Sequence, residues 1–208
     1  LKLMDENLQE DDKFCQYKEL SELDDEEFSH RDHHRPAGYS ATTRLHCGRL
    51  CVPCLNDSGA SCACISEETA ILIINHAAKM AKEGRLDRKS YNYPLQAIYS
   101  YRNSGNMTGA DAKSGLKVTH AILLRCEFIP DGSESGPTRD IFFKVFKSQT
   151  SSITGLILGW PQLDTPSNTG GEGLNWTTER DCFFYRELGV RLPRLDLARK
   201  SQYHSSLV

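Results

Sequence analysis

The chain has no long hydrophobic run and no strong excess of charge of either sign. No uninterrupted apolar stretch approaches the ~18 residues of a membrane span, and the acidic start lacks the basic and apolar parts of a signal peptide. The formal net charge is −3 over 208 residues, so nothing in the composition indicates a nucleic-acid partner. We therefore expect an intracellular, cytoplasmic protein whose domain contacts neither membrane nor nucleic acid.

Apolar residues are also scarce at the start of the chain. Residues 1–44 are rich in Asp and Glu and cannot bury enough surface to offset the entropy of ordering, which predicts an acidic, largely disordered linker. The histidines within 29–36 are assigned to solvated chain, because Arg31 and Arg35 among them repel a cation. Since the first residue is Leu, we expect a piece of a longer chain.

Residues 45–164 carry the apolar pattern of a folded domain, most of it typical of strands. A strand is predicted over 45–55, at a sheet edge because of Pro53. A hairpin with a glycine-rich tip is predicted over 95–129, with the apolar residues of 116–128 on one face, and buried strands are predicted near 141–146 and 155–161.

One helix is predicted, over 66–84. Ser66 is a good N-cap followed by acidic residues, apolar residues recur at helical spacing, and Gly84 can end the helix. Residues 165–208 show little core signal and are predicted to be a polar connector.

The stretch Asp57-Ser58-Gly59-Ala60-Ser61 is the segment that indicates chemistry. An aspartate followed by a hydroxyl residue and a glycine places a carboxylate on a tight turn, where glycine lets a second backbone approach closely. Such a turn can bring two aspartates face to face.

Eight cysteines offer a different kind of site. Thiolates at the spacing of Cys47, Cys51 and Cys54 can share one tetrahedral zinc ion. No second ligand pair of matching spacing follows, and Cys62 and Cys64 are too close to the aspartate turn to donate freely. We therefore expect no metal and no cofactor, and we keep a small zinc module as an alternative.

Three features in this order, the segment 57–61, a glycine-bearing hairpin and Ile157-Leu158-Gly159, resemble a retropepsin, the aspartic protease of retroviruses and retrotransposons. The resemblance covers roughly residues 45–163, with 66–94 as an insertion. It implies an all-β, closed retropepsin-like barrel, the acid protease fold, with one inserted helix. It also implies that 165–208 lead toward the next polyprotein segment. Family members generally carry an apolar residue before the aspartate, where this chain has Asn56.

The resemblance implies that Asp57 is catalytic. Since one Asp-Ser-Gly triad is present and the mechanism needs two carboxylates, half a site per chain implies a homodimer. The implied function is that of an aspartic-type endopeptidase of a retrotransposon-like polyprotein, with a polypeptide substrate and water activated by the paired carboxylates. The implied supporting residues are Ser58, Gly59, Ala60 and Gly159, and the implied substrate-binding flap is Thr108, Gly109, Ala110 and Asp111.

Two further alternatives stay open. The domain could be the retropepsin-like domain of a ubiquitin-shuttle protein, which has the same fold. It could also be a non-catalytic retropepsin-like binding domain, because Asn56 replaces the usual apolar residue.

Overall fold

The computed structural model describes residues 41–108, 115–147 and 155–195. The acidic linker and its histidines lie outside these ranges, apart from 41–44, where the first strand already begins. The elements in chain order are β1 (Thr42–Cys47), β2 (Leu50–Asn56), β3 (Cys64–Ser66), α1 (Glu67–Lys82), β4 (Leu95–Thr108), β5 (Gly115–Glu127), β6 (Thr138–Lys147), β7 (Leu156–Leu158), α2 (Trp160–Leu163), α3 (Pro166–Thr169), β8 (Trp176–Thr178), β9 (Cys182–Tyr185), a 3-10 turn (Arg186–Leu188) and β10 (Val190–Pro193).

The main sheet closes on itself as a barrel. Its strand order is β1-β2-β7-β3-β6-β5-β4, and β1 also pairs with β5 at His46 and Glu127. This contact closes the ring and leaves β4 outside it, paired with β5. The pairs β2–β7 and β3–β6 are parallel, whereas the other neighbours are antiparallel. The predicted all-β closed barrel with one inserted helix is confirmed.

The interior core of the barrel is built from alternate residues of its strands. On β6, Ile141, Phe143 and Val145 point inward with at most 3% of their surface exposed. Successive side chains of a strand point to opposite faces, and burial of each such apolar side chain contributes about 1.5–3 kcal/mol. The central position predicted for this strand is confirmed, since β6 lies between β3 and β5.

Helix α1 confirms the prediction for 66–84. Its N-cap is Ser66, whose Oγ accepts a hydrogen bond from the backbone N–H of Thr69 at 3.2 Å, a cap that contributes about 1 kcal/mol. Ile73 and Ile74 are buried in the interior core. The helix ends at Lys82 with Glu83 as its C-cap, and Gly84 follows with φ +69°, a conformation that favours glycine. No helix in the described ranges has the length and apolar character needed to cross a membrane.

Strands β1 and β2 form a hairpin, where a single strand over 45–55 was predicted. The turn consists of Gly48 and Arg49, both with positive φ (56° and 74°), between the paired residues Cys47 and Leu50. Hairpins with two-residue loops need such mirror-image turns. A Gly-Arg pair carries a weaker signal for them than Asn-Gly, so the turn was missed.

The edge position predicted from Pro53 is wrong. Strand β2 lies between β1 and β7 in the sheet. Proline is tolerated there because the pairing of β2 with β7 begins one residue later, at Cys54, so no β7 ladder hydrogen bond depends on the missing N–H.

Residues 165–195 do not behave as the polar connector that was predicted. Strands β8, β9 and β10 form a second sheet, the C-terminal sheet, in the order β10-β9-β8. The rings of Phe128 and Tyr185 meet edge to face with centroids 5.1 Å apart. This part of the chain packs on the barrel because its apolar residues join the interior core. The predicted domain boundaries stay predictions. The buried residues that it contributes are Leu174, Phe183, Tyr185, Val190 and Leu192.

Candidate active site

Asp57 follows the last residue of β2 and begins a tight turn over 57–60, the Asp57 turn. Its backbone N–H donates to the carbonyl oxygen of Leu158 at 3.0 Å, which ties the turn to the end of β7. Its side-chain Oδ1 accepts the N–H of Gly59 at 2.9 Å, and its carbonyl accepts the N–H of Ala60 at 3.0 Å. The half-buried carboxylate is therefore oriented by its own turn.

Gly159 lies against the Asp57 turn from the side of β7. A Cβ atom at this position would lie 2.4 Å from the carbonyl oxygen of Cys62 and 2.8 Å from that of Ala60. The next residue, Trp160, donates its N–H to the same Ala60 oxygen at 2.7 Å. Only glycine allows this close approach. The fold therefore brings together two of the three features that carry the retropepsin resemblance.

Ser58 and Gly59 are exposed at the tip of the turn. Among the described residues, Ser58 forms no hydrogen bond, and none engages Oδ2 of Asp57. The turn thus presents a carboxylate oxygen and a hydroxyl that the described chain leaves unused. The roles assigned to Ser58, Gly59 and Ala60 stay predictions.

A second apolar cluster, the outer cluster, lies on the outside of the barrel wall and includes Ala60 of the turn. On β7, Leu156 and Leu158 belong to the interior core, whereas Ile157 between them belongs to the outer cluster. Burial, followed by the nearby Cys62 and Asp57, raises the pKa of the Cys64 thiol to about 12, so it stays neutral here. The cluster consists of Leu55, Ala60, Cys64, Met107, Leu116, Val118, Phe146 and Ile157.

The stem of the β4–β5 hairpin also reaches the outer cluster. Met107 of β4 pairs with Leu116 of β5, and both side chains join the cluster. Of the predicted flap residues, Gly109, Ala110 and Asp111 lie outside the described ranges. Thr108 is described only through its pairing with Gly115. The hairpin is confirmed, and the flap contacts stay predictions.

A register shift in β5 explains why the outer cluster was missed. The alternation over 116–128 predicted one apolar face, but the pairing with β6 shifts between Val118 and His120. A bulge adds one residue and reverses the faces on either side of it. Val118 therefore lies in the outer cluster while Ile122 lies in the interior core.

Asn56, immediately before Asp57, is buried with 4% of its surface exposed. Its Oδ1 accepts a hydrogen bond from the Tyr185 hydroxyl at 2.9 Å, whereas its Nδ2 is buried and has no hydrogen-bond partner among the residues that the structure describes. Burial raises the pKa of Tyr185 well above its usual range, so the hydroxyl stays protonated and donates. The C-terminal sheet thus contacts the residue next to the candidate catalytic aspartate.

The zinc module proposed on Cys47, Cys51 and Cys54 is contradicted by the geometry. Cys54 is fully buried inside the barrel, whereas Cys51 lies on the opposite face of β2. The Cys47 Sγ contacts the Sγ of Cys126 at 3.9 Å, and burial raises the pKa of the Cys54 thiol well above its usual range. In the part of the chain that the structure describes, no group of His, Cys, Asp and Glu could hold a metal ion.

No protein-family model matches the chain, and no curated protein matches it. The chain is similar to the solved retroviral protease-like domain of Ddi1 from Leishmania major, with 14% identity over 76% of this chain and 94% of that one, and a TM-score of 0.43. It is also similar to EIAV protease complexed with the inhibitor HBY-793, with 14% identity over 67% and 93% and a TM-score of 0.33.

A third similar structure is Lpg0085 from Legionella pneumophila, a protein of unknown function. The identity is 13% over 66% of this chain and 92% of that one, with a TM-score of 0.25. Such low TM-scores support no functional conclusion, and the barrel is established by its own strand pairing.

Proposed function

We propose that the chain is an aspartic-type endopeptidase that acts as a homodimer, with Asp57 of each protomer in one shared site. The observation that carries the proposal is the Asp57 turn itself. It holds a carboxylate through the Gly59 N–H at 2.9 Å and lies beside an apolar surface. The other carboxylate oxygen has no hydrogen-bond partner in the described part of the chain. One carboxylate cannot both activate water and protonate the substrate, so a twofold partner supplies the second.

The proposed chemistry follows from bringing the carboxylates into contact. Two carboxylates at that distance cannot both be ionised, so the pair holds one proton. The ionised Asp57 takes a proton from water, which attacks the peptide carbonyl carbon, while the protonated one donates to the carbonyl oxygen. The tetrahedral diol then collapses: the Asp57 that took the proton from water gives it to the amine nitrogen as the C–N bond breaks. The other Asp57 takes a proton from a diol hydroxyl, which leaves a carboxylic acid product and restores the singly protonated pair. Exposed Ser58 hydrogen-bonds across the twofold axis and keeps the turns together.

The proposed substrate is an extended polypeptide between the Asp57 turn and the β4–β5 hairpin. Its backbone pairs as a strand, and the outer cluster receives apolar side chains next to the scissile bond. Thr108, Gly109, Ala110 and Asp111 form the flap that closes over it. A retrotransposon-like polyprotein is the proposed natural setting. The retropepsin-like domain of a ubiquitin-shuttle protein would share the chemistry, and the neighbouring domains in the full-length gene distinguish the two.

The test is cleavage of a mixed peptide library from about pH 4 to about pH 8, with pepstatin or a chelator added. We expect a bell-shaped rate profile favouring acid, sensitive to pepstatin and resistant to chelator. Asp57→Asn should lower kcat about 10⁴-fold. The matched control is Asp87→Asn. The Asp87 carboxylate likewise accepts a hydrogen bond from a backbone N–H two residues later in the chain, that of Lys89, at 2.9 Å.

Several outcomes would overturn the proposal. Full activity in Asp57→Asn would remove the assignment of the catalytic residue, and chelator-sensitive cleavage would indicate a metal hydrolase. Sedimentation that shows only monomer at concentrations where cleavage occurs would contradict the dimer. Absence of turnover at every pH would favour a non-catalytic retropepsin-like binding domain.

A further inference from the structure

The hydrogen bond between Tyr185 and Asn56 joins two parts of the chain that are 129 positions apart. Both residues are buried, at 0% and 4% exposure. Asn56 is the last residue of β2, and Asp57 follows it directly. A contact that fixes the Asn56 side chain therefore also constrains the start of the Asp57 turn.

The strand that carries Tyr185 is also held by contacts other than its hydrogen bond to Asn56. This strand, β9, pairs with β8 on one side and β10 on the other. The C-terminal sheet is tied to β1 by two hydrogen bonds: the Thr43 hydroxyl donates to the carbonyl oxygen of Pro193 at 2.8 Å, and the Leu195 N–H donates to that of Thr42 at 2.9 Å. The ring also packs edge to face on Phe128. The sheet can thus act as a fixed support.

We expect an apolar pair at positions 56 and 185 to stabilise the fold more than Asn56 and Tyr185 do. Within the described ranges, the buried Asn56 Nδ2 has no hydrogen-bond partner, and an unpaired buried amide destabilises the folded state. Leucine at 56 with phenylalanine at 185 would occupy similar space without that penalty. A polar contact kept at such a cost is explained if it selects one arrangement of the chain.

We propose that Tyr185 is a positioning residue for Asp57, acting through Asn56. The hydroxyl holds the Asn56 side chain inward and so fixes the direction in which the next residue leaves β2. In the dimer this sets the separation of the two carboxylates. The inference rests on the proposed function, and it makes the C-terminal sheet a part of the active unit.

The key variant is Tyr185→Phe, which removes the hydroxyl and keeps the ring. We expect kcat to fall about 10- to 100-fold with little change in KM, because a small misplacement of a catalytic group lowers the rate. The acid and base limbs of the pH profile should move closer together, since more distant carboxylates interact less. The matched control is Tyr93→Phe, a buried tyrosine in a separate cluster with Ala77, Met80 and Leu86, which should leave both limbs unchanged.

The double variant Asn56→Leu with Tyr185→Phe separates positioning from stability. It leaves no unpaired amide, so it should fold at least as stably as the wild type. Its kcat should stay low, and the acid and base limbs of its pH profile should stay closer together than in the wild type. Rates are expressed per site titrated with pepstatin. If Tyr185→Phe does not fold, this variant carries the test. Wild-type kcat and pH limbs in the double variant would overturn the inference.

Asp57→Asn in the same assays distinguishes the two proposals. If it is inactive while Tyr185→Phe matches the wild type in kcat and pH profile, this inference fails and the proposed function stands. If Asp57→Asn retains activity, the proposed function fails, and the positioning role fails with it.

Discussion

The two apolar clusters of the barrel wall are built by the same strands and differ in how much of their side-chain surface is exposed to solvent. In the interior core, Ile65, Ile122 and Phe143 have no exposed surface. In the outer cluster, Phe146 is also fully buried, but Ile157 is 9% exposed and the members nearest the Asp57 turn and the hairpin tip are only partly buried. These partly buried members are Leu55, Ala60, Met107 and Leu116. One face of each strand therefore supports stability. The other leaves apolar surface next to a carboxylate, as expected of a binding site.

The largest expected effect on stability follows from truncating a large side chain in the interior core. Phe143→Ala should lower the free energy of unfolding by about 3–5 kcal/mol, a large fraction of the roughly 5–15 kcal/mol of a typical domain. Its neighbour Phe142 points to the opposite face of β6 and is 39% exposed, so Phe142→Ala should cost less than about 1.5 kcal/mol. Urea denaturation followed by circular dichroism measures both. Equal losses would contradict the assignment of the two faces.

The next effect is on recognition. Ile157→Ala should lower kcat/KM for peptides with a large aliphatic residue next to the scissile bond, by about 10- to 200-fold relative to peptides with a small one. Its matched control is Leu156→Ala on the same strand, which faces the interior core. That variant should lose more stability, about 2–5 kcal/mol, and keep the wild-type ratio between the two peptides. A similar change of ratio in both variants would show that the outer cluster does not select substrate.

The parts predicted from sequence are those whose signals are local. Ser66 and Gly84 bound a helix because capping depends on a few neighbouring residues. The retropepsin resemblance implied that Gly159 supports the site of Asp57. The structure brings the two short motifs into contact, and the supporting role of Gly159 stays a prediction. Each of these features can be recognised from a few adjacent positions.

The turn at Gly48 and Arg49 was missed because its local signal is weak. The other parts missed depend on pairs of residues far apart. In the C-terminal sheet, Phe183 and Tyr185 form too short a run to show a period, and they are buried only because the barrel offers a surface. Asn56 was noticed as a departure from the retropepsin pattern. Its partner could not be inferred, since it lies 129 positions away.

The smallest effect concerns the outer face of β1, where the barrel closes. His46 pairs with Glu127 of β5 there and is half-buried. Burial lowers the pKa of His46 below its usual 6.5, Glu127 opposes this, and Arg44 adds to it. Because the folded-state pKa lies below the unfolded value, protonation favours unfolding. The contribution to stability is present above about pH 6.5 and is lost as the pH falls through the folded value.

We therefore expect the wild-type Tm to fall more between about pH 7.5 and about pH 5.5 than that of His46→Gln, a range that stays above most carboxylate titrations. The difference should be small, because water screens a half-exposed side chain. An equal fall in Tm in the two proteins would exclude His46 as a source of the pH dependence of stability. The comparison also affects the activity assay: a rate that drops below pH 5.5 in the wild type but less in His46→Gln reports unfolding, whereas an acid limb shared by both belongs to the Asp57 pair.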